Sequence, residues 1–207
     1  MSTTNPNVSG VTMGDRAWIR FFIIAATILV LVNAAFSGFR VAKLLGPGPY
    51  PVDINLPRPA VNVPAGDSGK TLLTDVTAGT IHVRELPFLS HFAGIAAPIL
   101  TTLTIATTTI LLTLLAISIF RGRIFSKRNT RLVGAAGVTA LLGFQAVNLA
   151  EVMLANGAVA LATDSELKNP VSTIEPFVFI LAGFGIAVIV AAFTIGERLQ
   201  RESEGLV

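Results

Sequence analysis

The chain has 207 residues, of which 52% are hydrophobic and 13% charged, about half the charged fraction usual for a soluble domain. There is no cysteine, which excludes disulfides, thiolate metal sites, iron–sulfur clusters and thiol nucleophiles, and leaves redox compartment unread. The formal net charge is only +3, and five of the basic residues fall in one short stretch between apolar runs. That pattern reads as topogenic charge with some attraction to acidic lipid headgroups, not as a nucleic-acid footprint.

Residues 1–17 are polar, carry Asn5-Pro6-Asn7 and Gly10, and show no helical period; they read as a disordered cytoplasmic tail. Trp18 has the character of an interfacial anchor. Residues 21–39 contain no charge, enough to span a hydrocarbon core at 1.5 Å per residue, and residues 18–45 are the first expected span. The competing reading is a cleaved signal peptide, since Ala34-Ala35-Phe36-Ser37-Gly38 is rich in small residues; the apolar run is longer than a signal core and the tail before it is long. Arg40 and Lys43 are expected to snorkel to the outer headgroups.

Gly46-Pro47-Gly48-Pro49-Tyr50-Pro51 then breaks the helix. Residues 46–90 are expected to form a small extracytoplasmic β-rich segment, with strand-like pieces at 52–56, 60–63, 70–76 and 80–85, the last two as a hairpin. So short a segment holds little core alone and should lean on the outer ends of the spans. Within it, Gly66-Asp67-Ser68-Gly69-Lys70-Thr71 looks like the end of a phosphate-binding loop, but Pro64 stands where that motif needs glycine and no long helix follows; a turn between strands is the better reading.

Residues 91–120 are the second span, crowded with threonine from Thr101 to Thr113, which points to close helix packing. Arg121, Arg123, Lys127, Arg128 and Arg131 follow in residues 121–131 with no acidic residue. A short basic loop between spans stays on the cytoplasmic side. Residues 132–158 are the third span, with Gly134, Gly137 and Gly143 as close-approach positions. Residues 159–175 are an acidic, translocatable loop, residues 176–197 the fourth span, and residues 198–207 a cytoplasmic tail. The expected fold is an all-α polytopic membrane protein, a four-transmembrane-helix bundle in the cytoplasmic membrane with both termini inside.

One intramembrane constellation stands out. Gln145, Asn148 and Glu151 lie at i, i+3 and i+6 of the third span, with Asn156 beyond, inside an arc of roughly 140° at 100° per residue. An ionisable residue at membrane depth is a candidate functional group. Glu151 falls near the outer interface, about 29 Å along the helix from Leu132, where pairing with Arg40, Lys43 or Arg84 is the structural alternative. His82 and His91, with Asp75 or Glu85, lack the tight spacing of a metal site. No serine has a nucleophile-elbow setting and no carboxylate pair is placed for acid–base work; no cofactor or metal is expected and nothing argues for an enzyme.

Two stretches carry a resemblance. Residues 122–132 run Gly-Arg-Ile-Phe-Ser-Lys-Arg-Asn-Thr-Arg-Leu and lead to Gly137; the tail Gly196-Glu197-Arg198-Leu199-Gln200-Arg201-Glu202 ends in Gly205-Leu206-Val207. With four spans and an external segment after the first, these resemble the bacterial membrane family named Domain of Unknown Function 2975. Lys127-Arg128 stands where that pattern has an acidic residue before the asparagine. The family has no established reaction, so the resemblance supplies no catalytic residue. It implies that loop and tail act together, with Glu197 or Glu202 pairing with Arg123, Arg128 or Arg131.

The sequence thus reads as a non-enzymatic accessory, regulatory or sensing component in contact with membrane lipids and binding another membrane protein or a second copy of itself. The alternative is a small transport or lipid- or ligand-binding protein using the polar face of the third span and the space beneath the outer segment.

Overall fold

Four uncharged stretches give four helices, and the proline-rich stretch between the first two gives strands. In a computed structural model, which describes residues 13–55, 60–64, 71–75, 78–163 and 176–204, the order is α1 (Met13–Leu45), β1 (Tyr50–Asn55), β2 (Ala60–Pro64), β3 (Thr71–Asp75), β4 (Ala78–Val83), α2 (Phe88–Phe120), α3 (Lys127–Ala162) and α4 (Pro176–Glu204). Each helix contains a stretch long and apolar enough to cross a bilayer. The most apolar windows of α1 and α4 bury nothing within the chain, and Phe36, Leu181 and Phe184 are each about two-thirds exposed or more. Apolar surface on this scale belongs where the solvent is lipid. The chain is an integral, multi-pass membrane protein with four spanning helices among the described residues.

The expected elements of residues 1–12, the Gly66–Lys70 turn, the acidic loop at 164–175 and the last three residues lie outside the described residues.

The chain forms two compact units, Met1–Phe36 with Thr101–Phe144 and Glu175–Val207, and Ser37–Leu100 with Gln145–Ile174. In the first, side chains join the helices in sequence. Thr102 Oγ1 donates to Asn33 Oδ1 at 3.2 Å between α1 and α2. Gly143 of α3 leaves a space that Thr104 of α2 fills: a Cβ built on Gly143 would stand 2.3 Å from the Thr104 hydroxyl. Gly137 does the same for Ile186 of α4. Small residues thus supply the close approach that lipid, unlike water, does not drive.

In the second unit the strands pair as two antiparallel two-stranded sheets, β1 with β4 and β2 with β3. This corrects the expectation that β3 and β4 form a hairpin. The β1–β4 register runs from Tyr50 opposite Val83 to Asn55 opposite Ala78. It places Tyr50, Val52 and Ile54 on the same face as Ile81 and Val83, and that face packs on Leu44 of α1 and on Leu154, Ala158 and Val159 of α3. Pairing β4 with β3 would leave this apolar face of β1 without its partner, which is why the long-range pairing wins over the local one. Ser90 of α2 donates to the Met153 carbonyl of α3 at 3.2 Å, seated in the gap left by Gly157. The excess length of α2 and α3 over a hydrocarbon core is therefore taken up partly by ends that pack within this unit.

The basic connection is shorter than the sequence suggests. α2 ends in a Schellman turn: Gly122, at φ +77°, donates from its N–H to the Ile119 carbonyl and Arg123 donates to that of Ser118. Ser126 caps α3, its Oγ accepting the Asn129 N–H at 3.3 Å. Asn129 is fully buried, and its Nδ2 donates back to the carbonyl oxygens of Arg123 and Ile124. Lys127, Arg128 and Arg131 consequently sit in the first turns of α3, not in a loop.

Candidate functional site

α1 ends at Leu45, where Gly46-Pro47-Gly48-Pro49 cannot continue it, and Gly48 takes φ +117°, a backbone setting that favours glycine. This four-residue link returns the chain as β1 beside the end of the helix. Between them and α3 lies a cleft of about 510 Å³, lined by Phe39, Arg40 and Lys43 of α1, residues 50–53 of β1, and Glu151 and Leu154 of α3. Arg40 and Lys43, at i and i+3, share one helix face.

The cleft is lined by charge of both signs. Both terminal nitrogens of Arg40 donate to a single oxygen of Glu151, at 3.4 and 3.5 Å, and both side chains are about half exposed. Charge-assisted bonds usually run about 2.7–2.9 Å and use both carboxylate oxygens. The contact is loose, and at this exposure it contributes about 0–1 kcal/mol to stability. The Lys43 ammonium lies 5.5 Å from the Phe39 ring centre and has no carboxylate partner among the described residues. Asp53 is held from its other side: Thr80, directly opposite it in the β1–β4 ladder, donates to its Oδ1 at 2.7 Å.

Of the three polar residues singled out on the third span, only Glu151 reaches this cleft. Gln145 and Asn148 are half-buried along α3 and contribute nothing to its lining. Helical phase explains the separation. Val147, Ala150, Leu154 and Ala158 form a buried stripe of α3, with Val159 buried beyond its edge; Glu151 falls about 20° from that edge whereas Gln145 lies nearly opposite the stripe's centre at 100° per residue. Asp53 and the β1 wall escaped sequence reading, because the residue that fixes Asp53 is 27 positions away. His82 stands on the outward, exposed side of β4 and His91 in the first turn of α2.

Charge is arranged differently in the other unit. Arg121, Arg123, Lys127, Arg128 and Arg131 are all exposed, with no carboxylate partner among the described residues. Glu197 and Glu202 pair within α4, Glu197 with Arg201 at 2.6 Å and Glu202 with Arg198 at 3.7 Å. This corrects the expected pairing of tail glutamates with loop arginines. Loop and tail meet through Phe125 instead: its ring fills the space left by Gly196, where a Cβ would come within 2.3 Å of it, and stacks edge-on to Phe193 at 5.7 Å. Lys127 joins Thr194, Ile195 and the charged face of α4 around a groove of about 450 Å³.

No family model, curated protein or solved structure matches the chain.

Proposed function

We propose that this is a non-enzymatic sensing or accessory protein of the cytoplasmic membrane whose working site is the cleft at Arg40, Lys43, Asp53 and Glu151, and that the cleft binds a small charged ligand. The observation that carries this reading is the loose Arg40–Glu151 contact, held through one oxygen at 3.4–3.5 Å inside a cleft of about 510 Å³. Most of the donors of Arg40, and the ammonium of Lys43, are left for something else. The basic connection orients the chain, with both termini in the cytoplasm and the sheet-bearing segment outside. The likeness to Domain of Unknown Function 2975 belongs to the same proposal, and its loop and tail pattern has a physical rationale in the Phe125–Gly196 contact.

A second reading is a helix-packing partner, another membrane protein or a second copy. It is favoured by Gly185 of α4, which meets nothing within 4 Å. It ranks lower because Gly94, Gly137, Gly143, Gly157 and Gly196 are already occupied by neighbours within the chain.

Thermal unfolding of the detergent-solubilised full chain, in the presence of acetate, glycine, glycerol phosphate or glycerophosphoethanolamine, tests the leading reading. At least one of these should raise the melting temperature of the wild type and not of Arg40→Ala. No shift with any of the four would contradict it.

A further inference from the structure

We infer that the cleft takes the headgroup of a zwitterionic aminophospholipid, the phosphodiester at Arg40 and Lys43 and the primary ammonium at Glu151 and Asp53; this rests on the ligand-binding reading above and names the ligand.

Three observations point to this class. The first is the placement of charge. Arg40 and Lys43 put two cations one turn apart on α1, and Glu151 and Asp53 supply acceptors from α3 and β1 around the same cleft. A simple anion uses only the first pair and a simple cation only the second. A molecule bearing a phosphate and an amine uses both, and leaves no net charge in the complex.

The second is what each group still has to offer. Arg40 turns one N–H of each terminal nitrogen to one carboxylate oxygen, at distances well beyond a good charge-assisted bond. A phosphodiester presents two oxygens to the guanidinium fork, and the carboxylate of Glu151, released, accepts from an ammonium. Asp53 lines the same cleft, and its Oδ1 accepts from Thr80, so the strand ladder holds this carboxylate at the cleft's β1 wall. Binding exchanges one stretched intramolecular pair for two well-formed ones.

The third is location. Arg40 is the first charge after the uncharged stretch 21–39 of α1, which puts it at headgroup depth. Phe39, 62% exposed, lines the cleft beside Arg40, so the wall of the cleft continues onto the lipid-facing side of α1. Acyl chains leaving a seated headgroup meet apolar helix surface and not water. A soluble ligand has no use for that opening.

The experiment uses the full chain, purified in mild detergent and exchanged through mixed micelles of equimolar phosphatidylethanolamine, phosphatidylcholine and phosphatidylglycerol, with the retained lipid quantified after repurification. Phosphatidylethanolamine should be enriched about fivefold or more over the other two, since trimethylation removes the ammonium donors and glycerol lacks the cation. Arg40→Ala with Lys43→Ala should return retention to the bulk ratio, and Arg40→Lys, which keeps the charge but loses the guanidinium fork, should lower the enrichment without abolishing it. Glu151→Gln with Asp53→Asn should abolish the preference for phosphatidylethanolamine over phosphatidylcholine while phospholipid is still retained. Retention at the bulk ratio by the wild type, or enrichment unchanged in the variants, overturns the inference. Soluble glycerophosphoethanolamine separates the two levels. If it raises the melting temperature while no lipid is enriched, the cleft binds a free ligand and only the lipid assignment falls; if no lipid is enriched and none of the four soluble ligands shifts the melting temperature, both fall.

Discussion

Replacing Asn129 tests whether the connection between α2 and α3 is a built structure or a passive loop. The side chain is fully buried, its two Nδ2 hydrogens satisfy the carbonyls of Arg123 and Ile124, and its Oδ1 has no hydrogen-bond partner. Asn129→Ala deprives two carbonyls of their donor and removes one orphaned acceptor. With about 1–3 kcal/mol for each buried polar group left unpaired, and the flanking residues exposed enough for water to recover part of this, the net loss is about 2–4 kcal/mol. For a chain of this size that corresponds to a drop of roughly 5–12 °C in melting temperature, read by circular dichroism in mild detergent. Asn129→Asp separates the causes. A carboxylate in the first turn of α3, beside five cations, is favoured by the helix dipole by about 0.3–1 kcal/mol, yet it faces the two carbonyl oxygens with no donor. If the donors matter, Asn129→Asp destabilises at least as much as Asn129→Ala. A melting temperature within about 1 °C of wild type for Asn129→Ala, or a stabilised Asn129→Asp, would refute the reasoning.

Further outcomes follow from the packing and the cleft. Gly157→Ala should cost about 1–3 kcal/mol, because its methyl would stand 1.7 Å from Ser90 Oγ; in the same melts Ser90→Gly should recover most of that loss. Gly196→Ala should weaken the seat of Phe125, whose ring would lie 2.3 Å from the new methyl, and its effect should be far smaller in a Phe125→Ala background. A double-mutant cycle on Arg40→Ala and Glu151→Ala should return a coupling of about 1 kcal/mol or less in unfolding. A markedly larger coupling would mean the pair is structural, with no capacity to exchange partners.

Much of this architecture was legible in the chain because it follows from length and charge alone. Stretches of 19 or more uncharged residues have one economical fate in a bilayer, and the prolines after Leu45 have one effect on a helix. Boundaries were less legible where a side chain, not hydropathy, sets them. Lys127 to Arg131 read as loop by charge, but Ser126 and Asn129 start the helix before the apolar run begins. Strand pairing was legible only as strand existence: β4 matches β1 by the apolar face they share with Leu44 and Leu154, a match that needs two separate helix ends in place. The polar face of α3 was visible as a helical period, but which of its members meets a cleft depends on phase relative to a buried stripe. Glu151 lies at the stripe's edge and meets Arg40; Gln145 and Asn148 do not line the cleft. The role of Asp53 had no local signal at all.

The proposed orientation puts the basic connection in the cytoplasm and the sheet-bearing segment outside. Because the chain has no cysteine, single cysteines at two exposed positions, Glu85→Cys and Arg123→Cys, report on this without background. In intact spheroplasts treated with a membrane-impermeant maleimide, Glu85→Cys should label and Arg123→Cys should label only after permeabilisation. Labelling of Arg123→Cys in intact spheroplasts with Glu85→Cys protected would invert the protein and contradict the account.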